Sequence, residues 1–166
     1  SDYGMRLYLK DDLEKAMRRL NQAWLLDPRN PESYWGFSVI YLDVGRQDLA
    51  ERWMEEALEK GLVDPEGLAS AAFVFARGAR GAALAEDDPA RVRVQELCAR
   101  ALATMEPGTA DYVESRTMMA LGMVADADGV EALLRNREAA GRTVAPEDWE
   151  RLEGLRSALE SAAAER

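Results

Sequence analysis

The chain has 166 residues, 48% hydrophobic and 31% charged, which suits one domain with a sizeable core and is short for two. A net charge of −10, with acidic and basic residues interspersed, argues against a nucleic-acid surface, because phosphate binding needs clustered Lys and Arg. Histidine, the commonest general base and metal ligand, is absent; the single Cys98 cannot close an internal disulfide; and no apolar run reaches the roughly eighteen residues of a membrane span.

The N-terminal stretch "SDYGMRLYLKDD" has no signal-peptide pattern. At an offset of 34 (37 − 3), "YGMRLYLKDDLEKAMRRLNQAWLLDP" lies over "FSVIYLDVGRQDLAERWMEEALEKGL", placing Tyr3 on Phe37, Leu7 on Tyr41, Ala16 on Ala50, Leu20 on Met54 and Ala23 on Ala57. The small residues Gly4 and Ser38 also coincide. Between the two copies, "LDPRNPESYWGF" punctuates the chain: Pro28 stops one helix, Pro31 suits the first turn of the next, and Asn30 is placed to cap it. Tyr34, Phe37 and Tyr41 recur at intervals of three and four and predict one apolar stripe; Ala50, Met54 and Ala57 predict another on the following helix. Two facing stripes make a hairpin, in which the small residues admit close backbone approach and Gly45 supplies the positive φ that ends the first helix.

Farther on, "DPEGLASAAFVFARG" predicts the first helix of a third hairpin, with Asp64 as cap and Leu68, Phe73 and Phe75 buried. The segment "ARGAALAEDDP" is long for a hairpin turn and reads either as a mobile loop or as a short extra helical turn. "PARVRVQELCARALATMEPG" restores an amphipathic helix through Val94, Leu97, Ala101 and Leu102. "TADYVESRTMMALGMVADAD" and "GVEALLRNREAAG" form a fourth pair whose register is open. The last segment carries Trp149, Leu152, Leu155 and Leu159 on one face and reads as a capping helix.

The period of 34, with large, small and large apolar residues at fixed places, resembles the tetratricopeptide repeat family over residues 3 to 65 and degenerates afterwards. The departures keep size class: Ser38 where the family favours Gly, and Leu20 and Met54 where it favours an aromatic. Asp11 stands in the first turn where Gly is usual. The resemblance implies one all-α domain over 1–166, a right-handed superhelix of about four hairpins (near 1–30, 31–65, 66–107 and 108–141) with a capping helix at 146–164. It also implies a concave groove lined by the first helix of each hairpin. Its groove places fall on Met5, Tyr8 and Leu9, then on Glu32, Trp35, Val39, Leu42 and Asp43. Family members that clamp a peptide carboxylate use Lys and Asn in this groove; Trp35 and Val39 stand at the comparable places here, so no such clamp is expected.

Catalytic chemistry finds little footing. "RGARGA" at Arg77 to Ala82 lacks the Gly-Lys-Ser/Thr ending of a phosphate loop. In "DADGVE" the calcium-loop register would put Arg135 where a bidentate Glu is required, so the acids read as helix caps. Cys98 has only Arg100 as a basic neighbour and reads as a core thiol. Met118, Met119 and Met123 read as core filling ahead of an adaptable binding face. The expected function is therefore a non-enzymatic scaffold, with no metal and no cofactor, that binds a peptide or protein, amphipathic with basic flanks. The alternative is a structural assembly subunit acting through self-association or through packing of its own missing N-terminal segment, since the counterpart of Tyr34 one period earlier falls just before Ser1. A homo-oligomer is open under either. Arg in excess of Lys and abundant Ala point to a GC-rich bacterium; the expected domain is soluble, with cytoplasm and periplasm both open.

Overall fold

A computed structural model describes residues 13–79 and 85–164. Among these residues it contains eight α-helices and no strand. The helices are α1 (Leu13–Leu26), α2 (Pro31–Asp43), α3 (Gln47–Glu59), α4 (Pro65–Ala79), α5 (Pro89–Thr104), α6 (Ala110–Met123), α7 (Ala127–Ala139) and α8 (Pro146–Ala164).

Capping chemistry sets where they start. Asn30 Oδ1 accepts from the Glu32 N–H at 2.9 Å and opens α2, with Pro31 in the first turn as expected. Asp64 accepts from the Gly67 N–H at 2.9 Å to open α4, and Asp88 from the Ala90 N–H at 2.8 Å to open α5. The ends use left-handed residues. Gly45 (φ +78°) donates to Leu42 C=O while Arg46 donates to Tyr41 C=O, a Schellman closure of α2. Gly61 and Gly141 close α3 and α7 in the same way.

Packing follows chain order. Helix α2 lies closely on α3, and α4 on both α5 and α6. Ser38 is fully buried, and its hydroxyl donates to Ala50 C=O at 2.7 Å, which ties α2 to α3 where both side chains are small. Ala50, Met54 and Ala57 are wholly enclosed, as are Ala16 and Leu20 on α1. Trp53 joins the neighbouring clusters, its ring 5.8 Å from Tyr34 and 5.1 Å from Phe37. Leu68, Phe73, Val94, Leu97 and Ala101 are buried as expected, whereas Phe75 is only half-buried. Its outer face is covered by the Arg93 guanidinium, 4.0 Å from the ring centroid, which Glu55 holds at 2.6 Å.

The same positions recur beyond residue 65. Tyr34, Phe37, Ser38 and Tyr41 are matched one period later by Leu68, Ala71, Ala72 and Phe75. The second helix of that pair arrives late: Ala50, Met54 and Ala57 correspond to Val94, Cys98 and Ala101, a shift of 44 (94 − 50, 98 − 54, 101 − 57). In the fourth pair the shift is 80. Gly45, Ala50, Met54 and Gly61 correspond to Ala125, Val130, Leu134 and Gly141 (125 − 45, 130 − 50, 134 − 54, 141 − 61). The packing is thus repeat-like, with the register interrupted between α4 and α5. Of the long linking segment, residues 80–84 lie outside the described residues.

Candidate functional site

Helix α2 carries the second set of predicted groove residues. Glu32 and Asp43 lie at its two ends, both exposed, and Trp35 and Val39 are half-buried against the core. Leu42 is 6% exposed and belongs to that core. The Trp35 indole N–H is itself buried and has no hydrogen-bond partner among the described residues. Met5, Tyr8 and Leu9 lie outside the described residues.

Trp35, Val39 and Leu42 have counterparts on the later helices. On α4, one period on, these are Ala69, Phe73 and Ala76, all buried because α6 lies against α4. Arg116 of α6 stacks over Phe73 at 4.5 Å, and the hydroxyls of Tyr112 and Ser70 are 3.0 Å apart. On α6, at the shift of 80, the counterparts are Ser115, Met119 and Gly122. Here the covering helix is displaced. Helix α8 packs on α7, and it stands off from α6 around a cleft of about 490 Å³.

Each wall of this cleft has a distinct origin. Helix α6 contributes Met118, Met119 and Gly122, and Val130 of α7 forms the floor. Helix α8 contributes Leu152 and Leu155, with Asp148 and Arg151 at the rim in a 3.1 Å ion pair. Met118 and Met123 are half-buried and pack against the core, as core filling requires, whereas Met119 is 39% exposed and is left open. Unbranched thioethers adapt to varied apolar partners, which suits them to an open wall. The sequence carried a signal for this place in the adjacent methionines and the glycine after them; without the shift of 80, that signal could not be connected to the groove line.

Other candidate chemistry is absorbed by structure. Asp126 accepts from the Gly129 N–H at 3.0 Å and from Gln95 Nε2 at 2.8 Å, so it caps α7, which begins at Ala127, ahead of the "GVEALLRNREAAG" stretch. Arg77 to Ala79 of the "RGARGA" stretch belong to α4, and the rest of it lies outside the described residues. Cys98 is buried, and burial, with a contribution from the charge of Asp126, pushes its thiol up to about 12. At neutral pH it is a protonated, enclosed thiol, not a nucleophile. Among the described residues no three Cys, Asp or Glu side chains are grouped to hold a metal, and no helix is long and apolar enough to cross a membrane. No family model matches the chain, and no curated protein matches it.

Proposed function

We propose that this chain is a tetratricopeptide-like scaffold, its hairpins wound in a right-handed superhelix, that binds a peptide or protein segment along the first helices of its hairpins. The supporting observation is one line of equivalent helical positions, apolar yet partly open. It holds Trp35 and Val39 on α2, and Met119 and Gly122 on α6. The hairpins fill their own interiors with other residues, Tyr34 and Phe37 on α2 and Val113 and Leu121 on α6. Apolar side chains beyond what the hairpin needs, in a cleft of this size, are what a protein-binding surface requires. The test places a photoreactive amino acid at Val39, at Met119 and, as control, at Arg52 on α3 in the source cell. A common polypeptide crosslinked from Val39 or Met119 and not from Arg52 is expected; adducts from neither groove position would overturn the reading.

A second reading, a self-associating assembly subunit, is favoured by the end of α1. Leu25 and Leu26 are 70% and 88% exposed, whereas their counterparts one period later are Glu59 and Lys60. Sedimentation across a concentration series tests it: a multiple of the chain mass that Leu25→Glu with Leu26→Lys abolishes would establish assembly, and a single monomer throughout would exclude it.

A further inference from the structure

The helical glycines of the described chain fall into two groups. At Gly36, Gly67, Gly78 and Gly129 an added methyl would strike a neighbouring side chain, of Leu20, Leu62, Glu51 and Asp126 respectively. Gly36, Gly67 and Gly129 are thereby explained by the chain's own packing, whereas the Glu51 carboxylate facing Gly78 is the end of a flexible side chain and can swing aside. At Gly122 and Gly154 a methyl would meet nothing within 4 Å. Glycine lowers helix propensity, and at Gly122 no described neighbour requires it. Gly122 is the one of the two that lines the α6–α8 cleft, together with Met119 of α6 and Leu155 of α8.

Shape and charge narrow what can occupy that space. The interior is hydrocarbon and thioether, and the polar atoms at the rim are already paired, Asp148 with Arg151. From Asp148 to Leu155 α8 advances about 10 Å, the span of an apolar edge at i, i+4 and i+7 on a facing helix. The equivalent line on α4 is covered by a helix, α6, so this wall has the form that a helix fits. Helix α8 bears five carboxylates, Glu147, Asp148, Glu150, Glu153 and Glu160, against two guanidiniums, Arg151 and Arg156. Arg156 is itself held by Glu131. Of these charges only Asp148 and Arg151 line the cleft, and the other acids stand elsewhere on a helix that is net negative, in a chain of net charge −10. Its field attracts a cationic segment and repels a second copy of the chain.

Resting on the scaffold reading, we infer that the α6–α8 cleft docks a cationic amphipathic helix of a partner protein, with a bulky apolar side chain seated over Gly122 between Met119 and Leu155. The experiment uses three labelled synthetic peptides and the whole chain, read by fluorescence anisotropy. One peptide has Leu at i, i+3, i+4 and i+7 with Lys elsewhere; the second has Glu for Lys; the third is a scramble of the first. The Lys peptide should bind at least about tenfold more tightly than either of the others. Gly122→Leu, which fills the seat, and Met119→Lys, which sets a like charge against the Lys peptide, should each lose about tenfold or more while melting as wild type; Arg52→Ala on α3 should bind unchanged. Equal binding of the scramble, equal binding of the Glu peptide, or full binding by Gly122→Leu overturns the inference. So does a wild-type dimer that Gly122→Leu dissolves, since the occupant would then be a second copy. A partner crosslinked from Val39, with no binding of the Lys peptide, overturns the inference and leaves the scaffold standing; crosslinks from neither groove position overturn the scaffold itself.

Discussion

Glu114 is 2% exposed and both of its carboxylate oxygens are held by the Arg142 guanidinium, with Arg137 at 3.5 Å from Oε2. All three stand where the second hairpin has core residues. Subtracting 80 takes Glu114, Arg137 and Arg142 to Tyr34, Ala57 and Leu62, all members of one packed core. The fourth hairpin has exchanged an apolar contact for a buried ion cluster. Removing one partner leaves charge uncompensated, whereas replacing the whole set with apolar residues is often neutral or stabilising. Glu114→Ala should therefore cost about 3 kcal/mol, a value kept at the low end because both arginines remain partly exposed. The triple change Glu114→Tyr, Arg137→Ala and Arg142→Leu should recover most of that loss. Urea unfolding of both variants checks this; a triple variant as unstable as Glu114→Ala would refute the correspondence.

The turn after α6 offers a second test. Ala125 has φ +58° at the place of Gly45, and its N–H donates to Gly122 C=O while Asp126 donates to Leu121 C=O, as in the glycine closure of α2. A side chain in the left-handed region is strained by about 1–2 kcal/mol, and glycine returns part of that gain through the entropy of its unfolded chain. Ala125→Gly should stabilise by about 0.5–1 kcal/mol, and Gly45→Ala should destabilise by at least as much. Opposite thermal shifts are the expected outcome; a loss of stability in Ala125→Gly would show that this turn is not strained.

Cys98 provides a chemical clock for the core. Its thiol, enclosed between α5 and α6 and pushed up to about 12 by burial, should resist a thiol reagent at pH 8 in the native state. Labelling should proceed only as fast as the chain opens, and rise with urea along the unfolding curve. Prompt labelling of the native protein would mean that α5 and α6 separate readily.

The second hairpin and the helix before it were legible because small and large residues keep a strict interval there. Ala50, Met54 and Ala57 could be assigned to a buried stripe from spacing alone, and Asn30, Asp64 and Gly45 to caps from residue type. Past Ala79 the interval stretches by ten before α5 (44 − 34), so a fixed-period comparison loses the match although the geometry resumes. The fourth pair was harder still, because its left-handed turn residue is an alanine and its core includes Glu114. The candidate groove positions were legible only in part. Periodicity places Trp35, Val39 and Leu42 on one side of α2, yet it cannot say how closely the following helix approaches. That spacing buries Phe73 on α4 and leaves Met119 open on α6. Side-chain reach is equally invisible in a pattern: Glu51 looks like a plain surface acid, but it receives a hydrogen bond from Gln47 and lies against Gly78 of α4.

The interruption "LDPRNPESYWGF" supplies the last prediction. Trp24 of α1 donates its indole N–H to the Tyr34 hydroxyl at 2.9 Å, and that hydroxyl donates to Pro28 C=O at 2.9 Å. One oxygen thus links the helix before the prolines, the turn between them and the helix after them. It also explains why an aromatic with a polar tip stands where a purely apolar residue would fill the core equally well, as Leu68 does one period later. Tyr34→Phe keeps the ring against Trp53 and removes only these two bonds, each worth about 1 kcal/mol, less for the bond from Trp24, whose ring is partly in water. The expected loss is about 1–2 kcal/mol, and it should fall unevenly. Amide exchange should quicken in α1, which is held to the rest chiefly through α2, while α4 to α7 keep their protection. If exchange quickens uniformly, the hydroxyl acts on the stability of the whole core rather than as a local fastening of α1, and the bridge does not have the role given to it here.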